Sequence, residues 1–449
     1  MAIAALPPGP RGSFLLGSVS EFQRDTLGFL TRCAREYGDV VPIRFGPALL
    51  ILLNDPALIE QVLVTDHRRF IKSRGVRALS SLIGNGLVLN EGESWLQQRR
   101  LIQPAFHRER LAGYGETMVR VAQRMLDTWQ DGEERLIDRD MTLLTQKVAT
   151  ETLFGTDLGE EAPEIAKVLT AAGAAMSARM SSLMLLLPDS VPTPNNRRLR
   201  RAVREADTYI YRIIERRRRS DEERDDLLSL LLHAQDADDG SRMSDQQLRD
   251  EVMTFFTAGH ETTANTLIWT WYLLSGHSAA LDALEAEIRE VLGDRPPTVA
   301  DLPRLRYADM VISESLRLYP PAAVLGREAI VDCTIGGYPI HRGNAVMMSQ
   351  WVTQRDARYF DQPEAFMPER WADGLARRIP RFAYFPFGGG PRQCIGNQFA
   401  TMEAVLVLVT IAQRVRLHAV PGHRIWPYMM PTLRLGPSLP MVVECRAAS

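Results

Sequence analysis

The segment 387–396, Phe-Gly-Gly-Gly-Pro-Arg-Gln-Cys-Ile-Gly, places Cys394 between a glycine-rich turn and an apolar stretch that runs to about Arg414. Glycine lets backbone N–H groups approach a sulfur atom closely, and a helix N-terminus stabilises negative charge. Arg392 adds a cation two residues before the cysteine. These features suit a thiolate metal ligand, and a thiolate held in this way is an axial ligand for haem iron. The alternative is a buried structural cysteine near the start of a helix.

A second cluster, Ala-Gly-His-Glu-Thr-Thr at 258–263, interrupts a long apolar stretch. Glycine costs about 1 kcal/mol in a helix interior, and a buried carboxylate without a partner is expensive. So many locally unfavourable residues together suggest function. One alternative is a kinked structural helix whose threonines bond back to i−4 carbonyls. The zinc motif His-Glu-x-x-His is rejected, because Ala264 replaces the second histidine.

The element that carries this cluster is predicted to be one long buried helix. Ser244 and Gln247 form a capping-box pattern, and Gly276 is a plausible stop. Roughly 30 residues of helix span about 45 Å, enough to cross a whole domain. The middle of the stretch is apolar all round, which is typical of a buried helix.

The remaining pattern predicts a mainly α fold with small β-sheets. A β-hairpin is expected at 40–53 around Gly46 and Pro47, and short strands are expected at 324–332 and 345–350. Residues from about 95 to 318 are mainly helical in pattern. No Gly/Ser/Pro-rich break divides the chain, so we expect a single domain over 1–449. Its parts are a β-rich region at about 38–70 and 320–350, a helical core at about 95–318, and the cysteine loop with its helix at about 385–414.

Composition excludes several classes of protein. The 449 residues are 45% hydrophobic, and the net charge of −2 argues against nucleic-acid binding. No run of 18 apolar residues occurs, and the N-terminus lacks the pattern of a signal peptide, so no transmembrane anchor is expected. The cysteines are too far apart for a disulfide framework, which favours a reducing, cytoplasmic location. They are Cys33, Cys333, Cys394 and Cys445.

The cysteine segment resembles the haem-binding loop of the cytochrome P450 superfamily at five positions. These are Phe387, Gly390, Arg392, Cys394 and Gly396. The resemblance extends from residue 7 to about residue 440, with all motifs in the expected order. It implies the P450 fold of soluble bacterial members, a triangular prism with a long central helix over the haem. It also implies haem b with Cys394 as the axial thiolate.

The central cluster is similar to the oxygen-activating motif of the same superfamily. By that resemblance Gly259 leaves space for dioxygen, Thr262 hydrogen-bonds the reacting oxygen, and Glu261 relays protons inward. Oxygen activation needs two protons, so a buried donor chain is a physical requirement.

Glu314 and Arg317 stand at i and i+3, on one face of a helix. The pair could be an ordinary surface ion pair, which contributes little. The resemblance identifies it as the family's Glu-x-x-Arg, which meets Arg370 of the segment Pro-Glu-Arg-Trp. Trp371 stands where phenylalanine is frequent. A buried network of three charged groups would fix local geometry, so these residues are assigned a structural role.

Trp95 and Arg99 stand at i and i+4 near a predicted helix start. An indole N–H and a guanidinium on one face can bind carboxylates. The resemblance makes them contacts of a haem propionate, with Arg327 and Arg392 as further contacts. Core packing is the alternative for Trp95.

Family position also indicates the walls of a substrate pocket, which are nearly all apolar. The candidates are Val76, Leu79, Leu82, Leu87, Val88, Met180, Met184, Phe255, Phe256, Ala258, Val324, Leu325 and Thr432. Methionine adapts to irregular ligands. We therefore expect a hydrophobic small-molecule substrate, a terpenoid or a fatty acid, with a macrolide as a further possibility. The alternative for each residue is simple core packing.

The activity expected from the resemblance is insertion of one oxygen atom from O2 into this substrate. No flavin or ferredoxin domain follows the haem loop, so electrons are expected from a separate ferredoxin and ferredoxin reductase. A set of arginines could attract an acidic ferredoxin. They are Arg100, Arg377, Arg378 and Arg381.

Two other functions remain open on the same fold. One is a haem-thiolate peroxygenase or isomerase, although family peroxygenases replace the acid–threonine pair that is intact here at Glu261 and Thr262. The other is a haem-binding sensor or carrier without turnover, which would not need that pair.

Overall fold

The computed structural model describes residues 7–155, 161–180, 190–219, 226–235, 240 and 242–446, without the side chains of 108, 109, 161–163 and 180. The chain forms two compact units, each assembled from separated segments. The sheet unit comprises Met1–Arg77, Met310–Cys394 and Ile425–Gly436. The helical unit comprises Ala78–Asp309, Ile395–Arg424 and Pro437–Ser449.

The helices are numbered in chain order. They are α1 (Val19–Arg24), α2 (Thr26–Tyr37), α3 (Pro56–Glu60), α4 (Arg74–Arg77), α5 (Ser80–Ile83), α6 (Gly92–Ile102), α7 (Arg108–Leu126), α8 (Ile137–Phe154), α9 (Glu161–Met180), α10 (Pro194–Arg219), α11 (Leu227–His233), α12 (Asp245–Ser275), α13 (Ser278–Leu292), α14 (Arg306–Leu318), α15 (Gln350–Thr353), α16 (Leu375–Arg378) and α17 (Asn397–Arg414).

The strands are numbered in the same way. They are β1 (Val40–Phe45), β2 (Ala48–Leu53), β3 (Phe70–Lys72), β4 (Glu134–Leu136), β5 (Leu325–Ala329), β6 (Cys333–Ile335), β7 (Tyr338–Ile340), β8 (Ala345–Met348), β9 (Val415–Ala419), β10 (Trp426–Met430), β11 (Thr432–Gly436) and β12 (Pro440–Cys445).

The sheet unit is built on a five-stranded sheet in the order β1-β2-β8-β5-β3. The hairpin of β1 and β2 confirms the predicted one, and β2 pairs with β8 in parallel. Successive residues of β2 enter different cores: Leu50 and Leu52 pack with α2, whereas Ile51 and Leu53 pack on the other face. A strand covered on both faces must be apolar at every position, which explains its continuous hydrophobic run. The predicted strands at 324–332 and 345–350 are the shorter β5 and β8.

Strand β8 ends early because the next residues start a helix. The Ser349 side chain accepts a hydrogen bond from the backbone N–H of Val352 at 3.3 Å and so caps α15. Side-chain capping of this kind satisfies an N–H that a helix start leaves without a partner.

The helical unit is organised around α12, against which α8 packs. The predicted capping box is present: the Ser244 hydroxyl accepts from the Gln247 N–H, and the Gln247 side chain accepts from the Ser244 N–H. The helix ends at Ser275 as predicted. Gly276 has a right-handed backbone with φ −91°, so the helix ends without the left-handed glycine that usually follows such a stop.

The other long helices pack around this core of the helical unit. Helix α17 lies against α7, and α10 lies against α9. A three-stranded sheet in the order β4-β12-β9 completes the unit. None of the described helices is both long enough and apolar enough to cross a bilayer.

Candidate functional site

The loop that carries Cys394 is tightly fixed within the sheet unit. Gly388 and Gly390 have positive φ angles of 68° and 67°. A Cβ atom at Gly390 would lie 1.9 Å from the carbonyl oxygen of Leu63, so only glycine fits there. The N–H of Cys394 donates to the carbonyl oxygen of Phe387 at 3.0 Å. Cys394 itself is exposed, so the reading of a buried structural cysteine does not describe it.

Two of the predicted anion-binding arginines also belong to the sheet unit. Arg392 ends the short 3-10 turn Gly390–Arg392 and is half-buried. Arg327 lies on β5 and is buried, with Nη1 donating to the carbonyl oxygen of Gly326 at 3.0 Å. A buried guanidinium suits a strongly bound carboxylate.

The carboxylate of Glu314 accepts five hydrogen bonds inside the sheet unit. Two come from Arg317, at 2.9 and 2.8 Å, and one comes from Arg370 at 2.9 Å. The others come from the backbone N–H of Met367 and the indole of Trp371, both at 3.0 Å. Glu314 and Arg317 have no exposed surface, so the surface-pair reading is excluded. Trp371 adds a hydrogen bond that phenylalanine could not donate.

Arg317 uses its remaining N–H groups on backbone carbonyls, those of Gln354, Pro363 and Ala365. The side chain of Gln354 continues the network. Its Nε2 donates to the carbonyl oxygen of Arg317 at 3.0 Å, and its Oε1 accepts from the N–H of Phe385 at 3.0 Å. Gln354 therefore ties the end of α14 to the segment that leads into the cysteine loop. Sequence reasoning missed it, because an isolated glutamine forms no motif.

In the helical unit, most of the middle of α12 is buried, but one strip keeps accessible surface, and Thr257 and Glu261 on another side are half-buried. Phe255, Ala258, Gly259 and Thr262 keep accessible surface, and their spacing of i, i+3, i+4 and i+7 places them on one face. A Cβ atom at Gly259 would meet nothing within 4 Å. The Thr262 hydroxyl donates to the carbonyl oxygen of Ala258 at 2.8 Å. This is the i−4 bond of a structural threonine, but the face that carries it is open. We name these four residues the accessible strip.

A buried acid lies behind this strip. Glu403 of α17 is buried against Thr263 of α12. Burial raises the pKa of Glu403 to about 8, and a hydrogen bond with Thr263 offsets only part of that rise. Glu261, by contrast, is only half-buried. Sequence reasoning missed Glu403, although a single acid inside the apolar stretch of α17 was a usable signal.

Trp95 and Arg99 share a face of α6 as predicted. The Arg99 guanidinium carbon lies 5.8 Å from the centroid of the Trp95 ring. Trp95 is buried and Arg99 is half-buried, so an anion bound there would meet one shielded and one accessible donor. Gly396 is the N-cap residue of α17.

The candidate pocket residues fall in both units. Those in the helical unit are Leu79, Leu82, Leu87, Val88, Phe255, Phe256 and Ala258. Those in the sheet unit are Val76, Val324, Leu325 and Thr432. Met180 is the last residue of α9, and Met184 lies outside the described residues. Phe256 is 1% exposed and its ring lies 4.7 Å from that of His260, so it packs in the interior and not on the accessible strip.

Residues 7–443 match the sequence profile of the family described as Cytochrome P450. The chain belongs to the cytochrome P450 family. A solved structure described as the cytochrome P450DA heme domain is similar to this P450 with a TM-score of 0.89 and 28% identity. That likeness covers 99% of each chain.

Curated relatives of this P450 include two proteins of Streptomyces melanosporofaciens. Cyclooctatin synthase is 38% identical over 97% of this chain and 95% of the relative. Cyclooctat-9-en-7-ol 5-monooxygenase is 37% identical over 96% and 94%. Pentalenene oxygenase of Streptomyces avermitilis is 33% identical over 93% of each chain.

These comparisons confirm the predicted family, the P450 fold and the monooxygenase activity. They also support a haem–thiolate iron cofactor and a requirement for O2 and a redox partner. The described residues fit that cofactor. The sheet unit presents an exposed thiol on a loop with two positive-φ glycines, and the helical unit leaves open space beside Gly259.

The Trp371→Phe variant tests the contribution of the indole to the buried network. It removes one donor to a buried carboxylate, so the free energy of unfolding should fall by about 2 kcal/mol. Urea denaturation followed by circular dichroism measures it. Trp426→Phe is the control, because Trp426 is 55% exposed and should change stability by less than about 0.5 kcal/mol. Equal effects of the two substitutions would contradict the assignment.

The Glu403→Gln variant tests the buried acid. The folded-state pKa of Glu403 is raised from 4.5 to about 8, so its contribution to stability is full below pH 4.5 and is lost as pH rises through about 8. Glutamine does not titrate. Between pH 5 and pH 8, the unfolding free energy of the wild type should therefore fall relative to that of the variant.

Urea denaturation at a series of pH values measures the difference between the two proteins. Glu290→Gln, at an exposed position of α13, is the matched control and should change stability by less than about 0.5 kcal/mol. A pH-independent difference for Glu403→Gln would show that this carboxyl titrates normally.

Proposed function

We propose that this P450 monooxygenase oxidises a ring-containing terpenoid that lies beside the accessible strip of α12. The observation that carries the proposal is the strip itself, where apolar Phe255 and Ala258 stand beside Gly259 and Thr262 on one open face. Relatives that span nearly the whole chain are named for cyclooctat-9-en-7-ol and pentalenene. Their names support a terpenoid over the other apolar classes.

The proposed wall residues favour the same class. All of them are apolar except Thr432, and none carries a positive charge that would pair with a fatty-acid carboxylate. Burial of apolar ligand surface then supplies most of the binding energy. A macrolide would bring many hydroxyl groups that such walls do not satisfy.

Cys394 is proposed as the axial ligand of haem b. The exposed thiol on a loop with two positive-φ glycines supports this assignment. Trp95, Arg99, Arg327 and Arg392 are proposed to bind the propionates, since each carries N–H donors. When bound, haem supplies the activation of O2 and the electron transfer that no side chain provides.

Thr262 and Glu261 are proposed to handle the protons of the reaction. The Thr262 hydroxyl donates to the carbonyl oxygen of Ala258, and rotation about χ1 would turn it away from that oxygen toward the open face that includes Gly259. There Oγ1 would hold a proton available for the oxygen chemistry that bound haem supplies. Glu261 is half-buried and adjacent to Thr262 in the sequence, so it would link solvent to this part of α12 as a proton relay.

Electrons are proposed to come from a ferredoxin and a ferredoxin reductase. Arg377, Arg378 and Arg381 of the sheet unit are exposed and precede the cysteine loop, which supports attraction of an acidic partner. The chain is further proposed to act as one P450 domain, in the cytoplasm. The family profile over residues 7–443 supports the single domain.

A spin-state titration of the purified ferric protein tests the substrate class. Pentalenene and cyclooctat-9-en-7-ol should shift the Soret band to its high-spin position, because an apolar ligand displaces water from the site. Palmitate and a macrolactone are the comparison ligands and should shift it less at equal concentration. A stronger shift with palmitate would show that the substrate is a fatty acid and not a terpenoid.

The Thr262→Ala variant tests the proton role. Loss of the hydroxyl should lower the product formed per NAD(P)H by about tenfold or more, with hydrogen peroxide released instead. Thr262→Ser keeps the hydroxyl and should retain most of the coupling. Product formation with hydrogen peroxide but not with NAD(P)H and redox partners, in the wild type, would identify a peroxygenase.

A further inference from the structure

The loop at residues 84–91 joins α5 to α6 and packs its backbone directly on α12. A Cβ atom at Gly84 would lie 2.0 Å from Oδ1 of Asp250, and one at Gly86 would lie 2.2 Å from Oγ1 of Thr254. Real Cβ atoms essentially never approach other atoms so closely. The two glycines therefore allow a contact between main chain and helix that no other residue would permit.

Two successive carboxylates of α12 bind this loop. The N–H of Asn85 donates to Oδ2 of Asp250 at 2.8 Å, and the N–H of Leu87 donates to Oε2 of Glu251 at 3.1 Å. We name the side chains of Asp250 and Glu251 the carboxylate clamp. From α6, the Gln98 amide approaches the carbonyl oxygen of Asn85 at 3.4 Å.

The charge of Asp250 is compensated by its neighbours. Its Oδ1 accepts from Nε2 of Gln246 at 2.9 Å and from Nη1 of Arg249 at 3.1 Å. Arg249 in turn binds Asp207 of α10 at 2.6 Å. Asp250 therefore belongs to a network that would hold part of its geometry without the loop.

Unlike Asp250, Glu251 accepts no hydrogen bond from another side chain among the described residues. It has no exposed surface, and its Oε1 has no hydrogen-bond partner among the described residues. Burial raises the pKa of Glu251 to about 8, and the bond from Leu87 lowers it only partly. A buried acid is costly, and the hydrogen bond that Oε2 makes goes to the loop. The hydrogen bond from the loop is therefore the interaction that compensates the burial of Glu251.

Glu251 lies on the same face of α12 as the accessible strip. It precedes Phe255 by four residues, Ala258 by seven and Thr262 by eleven. At 1.5 Å per residue the clamp lies about 6 Å from the start of the strip. The clamp holds the backbone of Leu87 at this level of α12, about one turn before Phe255, and Val88 is the next residue of the loop.

We propose that the carboxylate clamp positions Leu87 and Val88 as a wall of the substrate pocket, and that Glu251 is the positioning residue that keeps the loop on α12. The inference rests on the proposed function for the identity of the pocket. The attachment of the loop to α12 is independent of it.

Hydrogen exchange of the ferric holoenzyme tests the attachment. Glu251→Leu removes the acceptor, so the Leu87 amide should exchange about fivefold faster, the effect of losing one hydrogen bond. Glu251→Gln keeps an acceptor oxygen and should exchange at the wild-type rate. Unchanged exchange in Glu251→Leu, or equal acceleration in both variants, would overturn the attachment.

Two glycine substitutions test the same attachment if the Glu251→Leu variant does not fold. Gly86→Ala pushes the loop away from Thr254 without altering the clamp and should also accelerate exchange at Leu87. Gly113→Ala on α7 is the control, because a Cβ atom there meets nothing within 4 Å. Wild-type exchange in Gly86→Ala would show that the loop does not pack on α12.

Two iron-binding probes, 4-phenylimidazole and imidazole, test the wall. Loss of the clamp in Glu251→Leu should change the Kd of the bulky 4-phenylimidazole by about fivefold and leave that of imidazole within about twofold. If the loop is loosened but the Kd for 4-phenylimidazole is unchanged, Leu87 and Val88 do not form a wall of the pocket. Neither probe is a terpenoid, and neither readout needs turnover, so a wrong substrate class would leave both results intact.

Discussion

Arg317 is completely buried, yet its guanidinium donates to both oxygens of Glu314 and to three backbone carbonyls. A buried charge with these partners holds several segments of the chain at once. Removal of one partner from such a pair costs about 3–5 kcal/mol, because it leaves the other charge without compensation. Through Gln354 and Phe385, the same network reaches the chain that enters the cysteine loop. The loop then closes by the contact of Gly390 with Leu63.

The helical unit is subject to a different constraint. It must keep one face of a buried helix open, where glycine and threonine weaken the helix and an acid is costly to bury. In the middle of α12, Gly259 and Thr262 lie on the accessible strip, most other positions are buried, and Glu261 is half-buried off the strip. Two acids whose pKa burial raises stand near the strip, Glu251 along the helix and Glu403 behind it. As neutral carboxyl groups they can hydrogen-bond without an ionic partner.

Sequence reasoning succeeded where the signal is local. The hairpin at β1 and β2, both ends of α12 and the glycine-rich cysteine loop depend on neighbouring residues, so pattern is enough to find them. The network of Glu314, Arg317 and Arg370 was found through a resemblance, which supplied the long-range pairing that spacing lacks.

The missed features depend on distant backbone. Glu251 binds the N–H of Leu87, 164 residues earlier in the chain, and a backbone N–H has no residue identity to detect. Gln354 binds backbone at both ends of its side chain for the same reason. The two compact units also interleave segments from across the chain, which composition does not reveal. Phe256 was assigned to the pocket from position alone, because periodicity does not say which face of an apolar helix is open.

The proposed role of the loop held by Arg317 and Glu314 is to present Cys394 as the thiolate ligand of the haem iron. Iron-edge X-ray absorption of the ferric protein and of its Cys394→His variant tests it most directly. We expect one sulfur ligand on the iron of the wild type and none in the variant. A sulfur ligand that persists in Cys394→His, or a wild-type iron bound only by nitrogen and oxygen, would contradict it.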